Sequence, residues 1–323
     1  MAKLSVSRSG SLQFWPRKRT RKFLPSVNWN AVSGKGLLGF ICYKVGMASA
    51  YVKDLTPDSL SKNKRIAIPV SIVECPPMKI FSVRFYKNNQ VLADILNQGV
   101  EKEMRKKLKL AKNYAKSVDG VKDYDDIRLI VYSLVKKTGI KKSPDIAEIA
   151  IGGSLDEKLQ FVKDNLGREL TLSLFNLQGS LVDVRGLTKA HGLSGPVKRF
   201  GIGLKQHKSE KGRRRPGSLG PWHPARVTFR TPMAGQLGMF TRIAYNSNLI
   251  LKNDINEMNI NPPQGFEHYG RVNTSFSLLR GSIQGSAKRQ LLLTAPLRET
   301  KKTKKKKFEF IELRLAHSIG HRS

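Results

Sequence analysis

Asp54 is the first acidic residue of this chain, so its opening 53 residues contain no carboxylate at all. Such a stretch cannot neutralise its own lysines and arginines by local ion pairing, and it must either remain solvated or meet a partner of opposite sign. The imbalance runs through the whole sequence: 59 Lys and Arg face 24 Asp and Glu, a formal net charge of +35 over 323 residues. Self-repulsion of that size opposes a compact isolated state, and nucleic acid is the common polyanion that relieves it. A membrane surface would require a basic amphipathic helix or a long apolar run. The longest apolar stretches, at 36–43 and 291–293, are only strand-sized. The N-terminus is basic without the apolar core of a signal peptide, so a cytosolic protein is expected.

The charge is unevenly placed. Residues 94–169 hold 13 of the acids and 16 Lys and Arg, a net of +3, whereas the remainder carries +32. The middle segment therefore reads as an ordinary solvated module, and its flanks read as nucleic-acid-facing surface. Three basic tracts stand out, at 14–23, 198–230 and 298–307. The third has the composition of a solvated tail. The first two interleave Trp15, Phe23, Phe200, Trp222 and His223 with Gly, Pro, Arg and Lys. Planar side chains stack on bases while cations neutralise phosphates, so these two tracts are expected to contact RNA.

Residues 37–45, 50–54, 66–73 and 80–86 are rich in β-branched and aromatic side chains and predict strands. The β character is expected to break after them. Met104, Leu108 and Ala111 share one face of an expected helix over 100–118. Residues 127–135 alternate like a strand. Ser154-Leu-Asp-Glu157 is a capping box that opens a helix ending at Gly167. The β pattern resumes at 170–176, 181–187, 240–251, 271–279, 290–295 and 308–316. Residues 188–235 show almost no apolar periodicity, and a loop of that length makes sense if it folds against a partner. The fold class expected is mainly β: an antiparallel β-barrel with an α/β insertion at 94–169 and long basic extensions.

Catalytic signatures are missing. Gly34-Lys-Gly-Leu-Leu-Gly39 matches a dinucleotide glycine pattern, but a strand follows where a phosphate-binding helix should start. The six histidines form no metal motif; His317 and His321 share helical spacing within a strand-like basic tail without a glutamate between them. No catalytic residue, metal or cofactor is expected. Cys42 and Cys75 read as two buried reduced thiols. Asn273-Thr-Ser275 is a glycosylation sequon without meaning in the cytosol.

Several segments together resemble one family. They are Gly10-Ser-Leu-Gln-Phe-Trp-Pro-Arg-Lys-Arg19, Phe40-Ile-Cys-Tyr-Lys-Val-Gly-Met47, Pro76-Pro-Met78, Gly217-Ser-Leu-Gly-Pro-Trp-His-Pro-Ala-Arg-Val227, Ala234-Gly-Gln-Leu-Gly238 and Arg242. In that order and spacing they resemble the universal large-subunit ribosomal protein three family, in its archaeal and eukaryotic branch, from end to end. The chain is shorter than eukaryotic members, which favours an archaeal origin. Ala190 stands where the family typically has glycine, Phe200 where it often has tryptophan, and Ala48-Ser49 where it often has Thr-His.

The resemblance implies a translation-protein-like barrel and an N-terminal arm threaded into ribosomal RNA. It also implies a loop reaching toward the peptidyl transferase centre, a part in subunit assembly, and an influence on A-site entry. The expected organisation is a basic arm at 1–35, a discontinuous barrel at 36–93 and 170–323, the insertion at 94–169 and the long loop at 188–235. The residues expected on RNA are Trp15, Arg17, Lys18, Arg19, Arg21 and Lys22 in the arm, and Lys198, Arg199, Lys205, Arg213, Arg214, Arg215 and Arg226 in the loop. Trp222 and His223 are expected near its tip, with Gln236 and Arg242 on its return leg. The partners implied are large-subunit ribosomal RNA and neighbouring large-subunit proteins, with no membrane and no small-molecule substrate. An RNA-modifying enzyme and a free RNA chaperone are the alternatives. The first would need an acid/base pair among only 11 acids outside the middle segment, and the second leaves the patterned strands and aromatic loop unexplained.

Overall fold

The computed structural model describes residues 8–110, 118–175 and 180–314. The chain is mainly β and forms two compact units. One comprises residues 1–23 and 187–242; the other comprises 24–186 and 243–323.

The larger unit holds two sheets. The first contains β2 (Gly39–Asp54), β3 (Arg65–Glu74), β8 (Leu181–Leu187), β11 (Thr241–Asn253), β12 (Phe276–Arg280), β13 (Gln290–Thr294) and β14 (Phe308–Arg314). Their order is β13-β8-β11-β12-β3-β2-β14, and β13 also pairs with β2. Leu292 thus faces Arg185 on one side and Ile41 on the other. The second sheet contains β1 (Gly36–Leu37), β4 (Met78–Lys87), β5 (Gln90–Leu96), β6 (Asp126–Ser133) and β7 (Ile146–Gly152), in the order β1-β7-β6-β4-β5.

β2 shows how sequence sets burial. Residues 39–45 are buried on both faces, and the pattern then relaxes toward alternation. The two strands expected at 37–45 and 50–54 are one, because a register shift against β3 between Lys44 and Gly46 carries the strand through the glycine. Phe40, Ile41 and Tyr43 lose all solvent contact, each contributing about 1.5–3 kcal/mol of burial. Tyr43 also joins the sheets: its hydroxyl donates to Asp145 at 2.6 Å and lies 2.7 Å from the Ser133 hydroxyl at the end of β6. Cys42 and Cys75 are free and buried.

Four further expectations change. The β character does not break after 86: Asn88 and Asn89 take left-handed backbone, φ 49° and 60°, and turn the chain into β5. The helix expected over 100–118 is a 3-10 turn at Lys102–Lys106, with Met104 buried and Leu108 40% exposed. Clustered like charges and one buried side chain give too little to nucleate a longer helix; residues 111–117 lie outside the described residues. The strand expected at 170–176 is a bridge at Leu170 and a 3-10 turn at Leu172–Leu174. The strand expected at 271–279 starts only at Phe276, because residues 273–274 bend to the buried Glu74 carboxylate. Asn273 N, Thr274 N and Thr274 Oγ1 donate to it at 2.8, 2.9 and 2.9 Å, and the Tyr269 hydroxyl donates as well. The Asn273 side-chain amide donates to Thr138 O at 3.2 Å, so the sequon is spent on structure.

α1 (Leu155–Asn165) has the expected capping box at Ser154 and Glu157. Hydrogen bonding draws β1, β4 and β5 into one sheet with β6 and β7, so this sheet takes strands from well before residue 94, where the charge pattern changes. Trp29 and Val32 sit in the core of the larger unit, upstream of β1.

Candidate nucleic-acid interface

The smaller unit holds 19 Lys and Arg and a single acid, Glu210, so a quarter of the chain carries about half of its net charge. It is built from two segments distant in sequence. β9 (Gly192–Ser194) and β10 (Gly235–Leu237) form its short ladder, with Leu193 facing Gln236. α2 (Pro196–Phe200) starts on a proline at its first turn and stops at Gly201, φ 62°. The Arg199 side chain clamps the two legs of the loop: Nε donates to Gln236 O at 3.0 Å and Nη1 to Met233 O at 2.9 Å. A Cβ at Gly235 would lie 2.7 Å from that guanidinium, which explains a glycine there.

The arm docks on the same unit. Ser9 N and Oγ donate to Phe200 O at 2.6 and 2.9 Å, and Thr20 N donates to Met239 O at 3.1 Å. Trp15 meets Phe229 edge-on at a centroid distance of 5.2 Å. Three guanidiniums surround the buried Phe200 ring, Arg17 at 4.2 Å, Arg8 at 4.7 Å and Arg199 at 5.1 Å. Arg242 stacks on Phe14 at 4.0 Å and approaches Phe240 at 5.4 Å. Burial first, and then repulsion from Arg199, Arg8 and Arg242, lowers the pKa of Arg17 from its ordinary value. Burial alone does so for Arg199 and Arg242.

The expected RNA-facing residues fall into two groups. Trp15, Arg17, Arg199, Gln236 and Arg242 are half-buried and lie in the arm–loop packing. Gln236 Nε2 donates to Gly238 O at 3.0 Å, so it shapes the return leg. Lys18, Arg19, Arg21, Lys22, Lys198, Arg213, Arg214, Arg215, Trp222, His223 and Arg226 are exposed, and Lys205 is half-buried. Residues 221–230 are exposed without exception, and Trp222 is 87% exposed. A tryptophan so exposed among arginines has no core to join and presents a flat face for stacking.

Sequence reasoning did not single out Arg8 and Phe14, nor Phe229 and Phe240. Phe14 and Phe229 stood inside tracts already marked by interleaved aromatics, which is a usable signal. Arg8 carried none, since its role depends on the arm returning to α2.

Among the described residues no group of three or more His, Cys, Asp or Glu could hold a metal ion. His317 and His321 lie outside the described residues. No described helix is long and apolar enough to cross a membrane.

Comparison with known proteins gives one answer. The profile of the family described as Ribosomal protein L3 matches residues 1–125 and 115–318. Among curated relatives, large ribosomal subunit protein uL3 of Methanocaldococcus jannaschii is 36% identical over 306 residues, 90% of this chain and 91% of that protein. Its namesake from Picrophilus torridus is 34% identical over 313 residues, 93% and 94% of the two chains. That from Thermoplasma acidophilum is 36% identical over 311 residues, with the same coverage.

Proposed function

The chain belongs to the ribosomal protein L3 family in its archaeal branch, and from that premise we propose how its two units serve the large ribosomal subunit. It is a structural constituent of that subunit, binds its RNA and is not an enzyme. The reaction centre is RNA, so the protein acts by holding RNA in position.

The observation that carries the proposal is the arm–loop unit, with 19 cations, one acid and an exposed Trp222 on a segment without its own core. In this reading Arg213, Arg214, Arg215 and Arg226 neutralise phosphates where RNA helices crowd, and Trp222 and His223 stack on or hydrogen-bond to bases. Arg199 and Gln236 hold the two legs of the loop at the correct spacing. The loop lies near the peptidyl transferase centre and the A-site entry, and the arm helps organise RNA during assembly. The 94–169 segment, close to neutral, faces solvent or a neighbouring protein.

The sheet order supports a closed antiparallel barrel of the translation-protein type, because β13 pairs with both β2 and β8 and leaves β14 as an added strand. The domain organisation proposed is an arm continuous in function with the 188–235 loop, a discontinuous barrel, and an α/β module that uses β4 to β7.

Sedimentation tests the reading. The protein is expected to travel with large subunits through a sucrose gradient and to remain there in high salt. Recovery at the top of the gradient, or release by moderate salt, would favour a free RNA chaperone.

A further inference from the structure

Positioning RNA makes no use of the chain's two cysteines, yet the fold of the larger unit sets them side by side. Cys42 lies in β2, and Cys75 follows the last residue of β3. The β2–β3 ladder ends with Tyr43 opposite Glu74, so the next antiparallel step puts Cys42 opposite Cys75 on one face. The strand geometry persists for that step. Cys75 N donates to Ser275 O at 2.7 Å, one place beyond the pairing of Glu74 with Phe276. Next to Cys42, Ile41 N donates to Met78 Sδ at 3.4 Å, so the two segments stay in contact. The backbone also fixes the kind of pair. Lys44 N donates to Arg289 O at 2.9 Å and Lys44 O accepts from Lys288 N at 2.8 Å. Alternate residues of β2, Cys42 opposite Leu291 among them, therefore turn their amides toward β13 and away from β3. Cys42 and Cys75 thus form a pair without mutual hydrogen bonds, the closer antiparallel kind, with Cα atoms about 4.5 Å apart. Disulfides accept Cα separations from about 4.4 Å upward. The residues are 0% and 1% exposed, and both thiols are free. Burial first, and then the neighbouring Cys75 thiol, pushes the Cys42 pKa well above its ordinary value. Cys75 Sγ has weak polar neighbours, Ser277 Oγ at 3.6 Å and Val73 O at 3.9 Å.

We propose that Cys42 and Cys75 are a cross-link site, closed by exchange with a small-molecule disulfide while the chain folds and then sealed in the core. One cysteine thiolate attacks a sulfur of the small disulfide, forms a mixed disulfide and releases one small thiol. The second cysteine thiolate attacks the protein-side sulfur, forms the Cys42–Cys75 bond and releases the other small thiol. Two cysteine thiols are oxidised, one disulfide is reduced, and the two cysteine protons pass to the released thiols. Timing follows from burial. In the folded protein the thiols are desolvated, stay protonated and lie out of reach of an oxidant. Exchange therefore belongs to the open chain, before β3 and β13 close on β2. The bridge ties β2 to the junction between β3 and β4, where the chain passes from the first sheet to the second. It encloses the β2–β3 hairpin and acts within the larger unit. The site is independent of the ribosomal reading above.

The test uses the full chain, unfolded and reduced, then refolded in oxidised and reduced glutathione at set ratios. Chain made by cell-free translation in the same buffers gives the same readout without a refolding step. Remaining thiols are alkylated in denaturant, and the intact protein is weighed by mass spectrometry. The expected product is a monomer with neither cysteine alkylated and no glutathione attached. Cys75→Ser, with one thiol left, should carry glutathione instead, and should need at least about tenfold more oxidised glutathione to do so. The bridged protein should melt at least about 4 °C above the reduced one. Dithiothreitol in native buffer should open the bridge at least about 100-fold more slowly than in denaturant. Mixed glutathione adducts alone, disulfide-linked dimers or unchanged thiols would show that the two sulfurs do not meet, and would overturn the site. A bridge that forms without raising the melting temperature would mean that the strands reject it, which overturns it as part of this fold. Reduction as fast in native buffer as in denaturant would overturn the sealing. None of these outcomes bears on the ribosomal reading, which sedimentation tests separately.

Discussion

At the scale of single residues, the smaller unit separates side chains that hold the protein together from those offered outward. Trp222, 87% exposed, contributes little to folding. Trp222→Ala should leave the melting temperature of the free protein almost unchanged, within about 0.5 kcal/mol. It should weaken RNA binding by about 1–3 kcal/mol of lost stacking. Thermal melts and RNA titrations of the same preparation check this, and unaltered binding would sink it. Gly238 is the opposite case. Its φ is 80°, and a Cβ there would fall 1.9 Å from Lys189 O, a backbone atom that cannot step aside. Gly238→Ala should cost more than about 2 kcal/mol, through left-handed strain and backbone displacement. Limited trypsin digestion should then open the 188–235 segment much faster than in the parent; equal rates would contradict the packing.

At the scale of elements, buried acids do the joining. Asp54 ends β2 and organises the turn toward β3: its carboxylate accepts from Thr56 N at 2.9 Å, from the Ser59 hydroxyl at 2.9 Å and from the Ser61 hydroxyl. Burial works against its charge, but the hydrogen bonds from Ser61, Thr56 and Ser59 outweigh it and hold the carboxyl well below the usual range. A depressed native pKa adds stability that is fully present above the unfolded value of about 3.9. That stability is lost as pH falls through the native value. Asp54→Asn should therefore destabilise the protein at pH 7 and narrow its deficit against the parent as pH falls below about 4. Denaturant midpoints measured from pH 7 to pH 2.5 give the comparison. A deficit independent of pH would mean that Asp54 acts by shape alone.

At the scale of the whole molecule, charge governs behaviour. A net charge of +35 on 323 residues opposes compaction, and the smaller unit carries about half of it on 79 residues. Raising ionic strength from about 0.05 to 0.5 M shortens the Debye length from roughly 14 to 4 Å and relieves that repulsion. The free protein should melt at a higher temperature in the stronger salt, and affinity for RNA should fall steeply over the same range. Scanning calorimetry at two salt concentrations decides the first point. A melting temperature that stays level or drops would show that the cations are already balanced within the fold.

The sequence alone determined the mainly β character, because β-branched and aromatic runs such as 66–73 have no other way to bury their side chains. It also determined the near-neutral middle segment, the basic aromatic tracts and, through composite motifs such as the one at 217–227, the family. These are local or additive properties. The capping box at 154–157 was legible because its partners stand three residues apart. The hairpin turned by Asn88 and Asn89 carried a signal of the same short range. Only the tertiary structure could decide which sheet β4 joins, since its alternation suits either. Nor could sequence show that Asn273 and Thr274 spend their amides on Glu74, 199 and 200 residues away. The arm–loop packing is the clearest instance. Arg8 and Phe200 lie 192 positions apart, and no local pattern links them. Their contact exists because the chain closes a long loop and then lays its own N-terminus on it. Pairings of that separation are set by the free energy of the whole fold, not by the residues beside them in the chain.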